Sequence, residues 1–406
     1  MKWSETENLK WKVKIPGRGT ATPVIWGNKV FVQTAIATGK KPDALGEALA
    51  VVPGGGGGRR MSEPPPDDLQ QFTLLCLDRA TGETIWQRVA REEVPHEGHH
   101  RDHWYASHSP VTDGRHVIAY FGSRGLHCYD MNGNPQWSKD LGRMQTSNQF
   151  GEGSSPALHG NIVVVNWDHR GDDFIAAFDK VTGEELWRQP RDEDTTWSTP
   201  LIVEHGGRTE VIIGATNSIR SYDLESGKQL WEAGGLTANV IPSPVSAGDM
   251  VYLTSGFRGQ SLKAIRLGAT GDIEKTEAIV WRLGRGQGTP YVPSPLLYEN
   301  RLYFFSGNEA LLSCYDARTG EAMTPKPQRI EGLRGVYASP VAADNRVYLV
   351  GRNGTTVVIK HAVEPAEDFE ILATNELGED VDASPAIVGN ELFLRGGEHL
   401  YCIAER

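Results

Sequence analysis

The chain has 406 residues, rich in glycine (46) and tryptophan (11), poor in cysteine (4), with a formal charge of −11 from 41 basic and 52 acidic side chains. An acidic balance of that size repels a phosphate backbone, which excludes nucleic acid as a partner. No apolar run approaches the roughly 18–20 residues of a transmembrane helix, and the opening residues 1–6 lack the pattern of a signal peptide, so the expectation is a mature chain without its leader.

In chain order, the first element is LKWKVKI (9–15), a lone tryptophan-bearing strand with no preceding partner. At Pro23 a Thr-Pro step then opens a short apolar strand. A Ser-Pro or Thr-Pro step recurs at Pro110, Pro156, Pro200, Pro244, Pro295, Pro340 and Pro385, at intervals of 87, 46, 44, 44, 51, 45 and 45 residues. A fixed period of this kind overrides local propensity and identifies a repeat architecture. Each unit ends on a second signal. LDRATGETIW (77–86), FDKVTGEELW (178–187) and YDLESGKQLW (222–231) are near copies, YDMNGNPQW (129–137) is one residue shorter, and YDARTGEAM (315–323) lacks the tryptophan. An Asp that accepts backbone N–H groups, followed by Gly at a φ > 0 position, is a β-hairpin with a short bulged loop. The tryptophan beyond it lies on the last strand, where its large ring can join one unit to its neighbour.

Two further apolar segments lie between step and hairpin, so each unit holds four strands, a propeller blade. The last unit stops after three strands, and residues 9–15 supply the missing one. The predicted fold is an all-β, eight-bladed β-propeller, one domain over 1–406, closed by its N-terminal strand. The long first interval contains a Gly/Pro-rich insertion at 35–71, including VVPGGGGGRRMSEPPPDD, which is expected to be flexible. Cys76, Cys128, Cys314 and Cys402 fall at matching places in different blades, too far apart to bridge, and are expected to be buried free thiols.

In a propeller, the links into each innermost strand and the turns between second and third strands share one face around a central funnel. The links contribute Arg18, Tyr105, His108, Trp197, Asn239, Tyr291, Arg334, Tyr337 and Asp382 as candidate ligand-binding residues. The turns contribute Asp168, His169 and Arg258. Residues 96–110, HEGHHRDHWYASHSP, carry five of the chain's twelve histidines into that mouth. Crowded imidazoles are transition-metal ligands, which makes His99, His100 and His103 candidates, with Glu97 or Asp102 completing a site. A polar loop whose histidines hydrogen-bond neighbouring blades is the alternative.

The blade endings resemble the pyrroloquinoline-quinone (PQQ) repeat, with its tryptophan-docking arrangement, over nearly the whole chain. That family includes quinoprotein alcohol dehydrogenases and an envelope lipoprotein that assists outer-membrane barrel assembly. The resemblance implies the propeller and a periplasmic or cell-envelope location. Three functions stay open: a non-catalytic module binding a small molecule, saccharide or protein at the funnel, an oxidoreductase using PQQ or a funnel metal, and a metal-dependent polysaccharide lyase or hydrolase. The adjacent cysteines that cover the cofactor in many quinoproteins are absent here and the calcium-binding set is not recognisable, so the binding module is favoured over PQQ chemistry.

Overall fold

The computed structural model describes residues 2–42 and 61–405. Among these, strands form eight blade sheets, seven of four strands and one of five. Blade 1 runs from axis to rim as Val24–Trp26, Lys29–Ala37, Gln70–Asp78 and Thr84–Glu93. The innermost strand of blade 1 touches those of blades 2 and 8, so the ring is closed. Leu9–Lys14 pairs antiparallel with His399–Ala404 as the outer strand of blade 8, with Trp11 opposite Cys402. The chain is an eight-bladed β-propeller fastened by its own first strand.

The Ser-Pro and Thr-Pro steps form a belt around the axis. Proline holds the preceding residue extended, and the N–H of that residue donates to the hydroxyl of its counterpart in the next blade. Thr22 donates to Ser109, Ser109 to Ser155, Ser155 to Thr199, and Thr199 to Ser243. Ser243 then donates to Ser294, Ser294 to Ser339, and Ser339 to Ser384, all at 2.9–3.1 Å. The repeated hydroxyl is an acceptor between blades, which explains why alanine does not stand at these positions.

At the rim the tryptophans repeat a second contact. Trp11, Trp86, Trp137, Trp187 and Trp281 donate Nε1–H at 2.8–3.2 Å to the carbonyls of Arg79, Met131, Lys180, Leu224 and Ala317 of the following blade. Each ring covers that blade's hairpin glycine: Gly82, Gly133, Gly183, Gly227 or Gly320. A Cβ there would come within 2.6–2.8 Å of ring carbons, and φ is +71 to +80°. Glycine thus meets two demands, the left-handed turn and the space under the neighbour's indole.

Other joints differ. Trp231 donates to Glu210 of its own blade, and Gly271–Asp272 of blade 5 runs parallel beside Trp231 and Glu232 as the fifth strand. In blade 7 the outer strand carries Ala373, and Trp3 packs into the same cluster, stacked on Tyr348. The core lies between blade faces, as where Ile118, Tyr120 and Cys128 meet Val163, Val165 and Trp167. All four cysteines are buried and unpaired.

Within the predicted insertion, 35–37 and 70–71 are strand, and Thr38 and Leu69 close its base with a backbone hydrogen bond. Ser62–Glu63 pairs with His99–His100. Residues 43–60, which carry the glycine run, lie outside the described residues. Among the described residues no helix is long and apolar enough to cross a membrane.

Candidate functional site: the funnel mouth

The link from blade 1 to blade 2, residues 94–110, does not simply enter its strand. Its 94–106 portion lies over the mouth as a strap. His99–His100 forms the small sheet with Ser62–Glu63, and the approach is so close that a Cβ on Gly98 would stand 1.8 Å from the Glu63 carbonyl oxygen. Toward blade 3, the Glu97 carboxylate accepts from Thr146 N–H (3.0 Å) and Oγ1–H (2.9 Å), and His100 N–H donates to Phe150 O. Toward blade 7, Asp102 accepts from Tyr337 O–H at 3.1 Å and lies 3.4 Å from Arg352. Arg352 sits 4.0 Å over the Tyr337 ring and grips Asp382 through Nε (2.7 Å) and Nη2 (3.1 Å). Burial pushes the Tyr337 hydroxyl up to about 12, with the Asp102 charge adding to it. Burial also raises Asp382, against the opposing pull of Arg352.

Beneath the strap the wall is polar and tight. Glu152 accepts from Ser123 N–H and Oγ–H, both at 2.6 Å, and from Arg124 at 3.2 Å. Burial alone would raise its carboxyl, but the Arg124 charge and the Ser123 hydrogen bonds outweigh it and hold the pKa below the ordinary value. Glu97, Tyr105, Arg124 and Glu152 border a cavity of about 10 Å3, room for a single water. His108 is 1 % exposed, packs edge-on to Tyr120 and has no hydrogen-bond partner among the described residues. Burial drives its pKa down to about 4, and does the same to His103.

The predicted site residues therefore separate. Asp168 is in the wall, in a fully buried ion pair with Arg191, whose Nη1–H also reaches Tyr222. His169 is buried and, with Trp167, Phe174, Arg143 and Arg188, lines a groove of about 660 Å3 beside blade 3. Arg18 lies over Trp104 beside a second groove of about 430 Å3, which Tyr105 and His99 also line. Tyr337 and Asp382 anchor the strap. Asn239, Arg258, Tyr291 and Arg334 remain on the sector the strap leaves open.

The three candidate metal ligands are each engaged with protein. His99 Nδ1 meets His100 O (2.8 Å), His100 Nδ1 accepts from Asp102 N–H (3.2 Å), and His103 meets Glu152 O (3.0 Å) and Ser107 Oγ (3.2 Å). Among the described residues no group of three or more His, Cys, Asp or Glu is placed to hold a metal ion.

PQQ, a flat tricarboxylate, needs an aromatic floor and free cations. Trp197 donates Nε1–H to Gly151 O at 2.7 Å and lies against Gly153, so this indole is part of the 151–153 wall. Arg352 is neutralised by two aspartates and Arg18 is stacked on Trp104. Around Trp197 and under the strap, the residues present do not offer that group a free aromatic floor with free cations.

Sequence reading missed Phe257. Tyr291 stacks on it at 4.8 Å and 20°, and Arg258 lies 5.3 Å over its ring. Asn239 and Arg258 have φ of +53 and +52°. Asn tolerates the left-handed region, whereas a long side chain there costs about 1–2 kcal/mol. Non-glycine strain of this kind clusters at ligand clamps.

The sequence model of the family described as outer membrane protein assembly factor BamB matches residues 70–283 and 171–403. Among solved structures, BamB from Moraxella catarrhalis is similar at a TM-score of 0.61 and 12 % identity, over 97 % of this chain and 99 % of that one. The computationally designed Ika8 protein is similar at 0.56 and 14 % identity, over 86 % of this chain and 98 % of that one. No curated protein matches the sequence.

Proposed function

We propose, from the premise that the chain belongs to the family of the outer membrane protein assembly factor BamB, that it is a non-catalytic propeller of the cell envelope whose funnel mouth docks a partner protein. The observation that carries this reading is the strap. It fills the sector from blade 7 through blade 3 with its own hydrogen bonds and ion pairs. What remains at the mouth includes half-buried Phe257 and Tyr291 with exposed Arg258 and Arg334. Such surfaces, with Tyr and Arg prominent, are those that anchor protein interfaces.

The test is a photo-crosslinking side chain placed at Glu309, exposed on the open sector, or at Arg115, exposed in a turn on the opposite face. In the source cells a discrete protein adduct is expected from position 309 and none from 115. Adducts from 115 alone, or none from either, would overturn the reading.

A further inference from the structure

We propose that the open sector of the mouth is built for an acidic segment of its partner, with Arg258 and Arg334 as the recognising cations. This rests on the reading that the mouth docks a protein, and adds the charge of what docks there. The residues form a continuous surface. Ala238 bridges Phe257, Phe257 stacks with Tyr291 and has Arg258 over its ring, and Tyr291 N–H donates to Gly307 O. Asn308 then joins Val292, through its Oδ1, to Val336, through its carbonyl, which brings in the link bearing Arg334.

Three observations converge on this surface. Arg258 and Arg334 are both exposed, and among the described residues neither has an ion-pair partner. Glu331, three residues before Arg334, and Glu309, exposed on the same sector, form no ion pair with them among the described residues. By contrast Arg352, in the same face but under the strap, is neutralised by Asp102 and Asp382. In a chain of net charge −11, two exposed arginines that no acid of the described residues pairs with are open to a partner of opposite charge.

The second observation is conformational. At φ +52° a glycine would be unstrained, and the next residue, Gly259, shows that glycine is available in this turn. An arginine held there keeps a side chain at a cost to folding, which is expected where the side chain has a task. Third, the stack fixes the guanidinium: Arg258 lies against Phe257, which is itself backed by Tyr291, so less freedom is lost when an acid binds.

The choice of a protein segment over an acidic saccharide follows from the stack. Phe257 is already stacked with Tyr291 and has Arg258 over its ring, so a sugar would have to compete for that ring with contacts the protein makes itself. Carboxylates reaching the guanidinium edges need no aromatic face.

The experiment uses the full chain, a fluorescent octaglutamate peptide at low salt, and fluorescence anisotropy. Wild-type protein is expected to bind octaglutamate and not octalysine. Arg258→Gly and Arg334→Ala should each weaken binding by about two- to fivefold, the effect of losing one exposed charge contact. Arg115→Ala, on the opposite face, should leave it unchanged. Arg258→Gly should melt at the wild-type temperature or above, a result that a merely structural arginine would not give. Absence of octaglutamate binding, or binding equal in wild type and both mouth variants, would overturn the proposal. So would tighter binding of an oligogalacturonate of equal charge, which would reassign the site to an acidic saccharide. Crosslinks from position 309 that persist undiminished in both arginine variants would reject the acidic partner while leaving mouth docking intact. Their absence in every variant would reject docking itself.

Discussion

At the rim, Trp11, Trp86, Trp137, Trp187 and Trp281 each meet a glycine and a carbonyl of the following blade, so five joints repeat one set of contacts. Over the mouth, the strap makes each of its contacts once, and Asp102 reaches a tyrosine 235 residues away. Each rim contact joins a largely covered indole to a backbone carbonyl and a close-packed glycine, and together they carry stability. The strap contacts are polar and partly exposed, each worth little alone, and they shape the surface offered to a partner. The two regions should respond differently to substitution, to acid and to exchange with solvent.

The largest difference is expected at the closure. Trp11→Ala removes an indole only 8 % exposed and opens the joint between blades 8 and 1, at a cost of about 3–5 kcal/mol. Urea unfolding should show it as a large fall in midpoint. A midpoint near wild type would mean that the first strand is an accessory rather than a clasp.

Next come paired glycine substitutions. Gly183→Ala sets a Cβ 2.6 Å from the Trp137 ring at φ +71° and should destabilise the ring by about 2 kcal/mol or more. Gly98→Ala drives a Cβ into the Glu63 carbonyl, yet only the strap must move. Its urea midpoint should stay close to wild type while protease cuts within 94–106 faster. Equal loss of stability in both would erase the distinction between joint and strap.

These rim and belt features were legible in the sequence because one physical requirement is met many times over. The Ser/Thr-Pro step needs a hydroxyl in every blade, and the hairpin needs glycine wherever a neighbour's indole lands. Periodicity showed the residues but not their partners: Gly183 serves Trp137 of the preceding blade, not the Trp187 of its own motif. The mouth was harder to read. Asp168 and Asp382 look alike as loop acids, and only the fold reveals that one is sealed against Arg191 and the other anchors Arg352. Phe257 gave no signal beyond apolar character, since its role depends on Tyr291 34 residues on. The histidine cluster was conspicuous, but among the described residues crowding along the chain brings no three such ligands together.

Acid acts on the mouth through two buried histidines, with an effect that grows as pH falls. His103 and His108 are held neutral by burial, with pKa values pushed down to about 4, whereas the unfolded chain takes up protons near 6.5. The unfolded state therefore binds more protons as pH falls. Stability should be unaffected by these groups above about pH 6.5 and decline below it, down to about pH 4, by up to about 1.4 kcal/mol per unit for each. His108→Leu should flatten that slope by about 1 kcal/mol per unit between about pH 6 and 4.5. An unchanged slope would show that His108 is not kept neutral inside the wall.

The smallest change in stability, and the most direct test, concerns the pin that holds the strap. Asp102→Asn keeps the shape but removes the charge facing Arg352 at 3.4 Å, and should cost under about 1 kcal/mol overall because both side chains are partly exposed. Amide hydrogen exchange, read residue by residue in wild type and this variant, compares the strap with the belt. Exchange should accelerate severalfold at His99, His100 and His103, whose N–H groups bond to the mouth or within the strap, while Ser109, Ser155 and Ser243 in the belt keep wild-type protection. Uniform acceleration across belt and strap, or none in the strap, would contradict a mouth partly covered by a separately held segment.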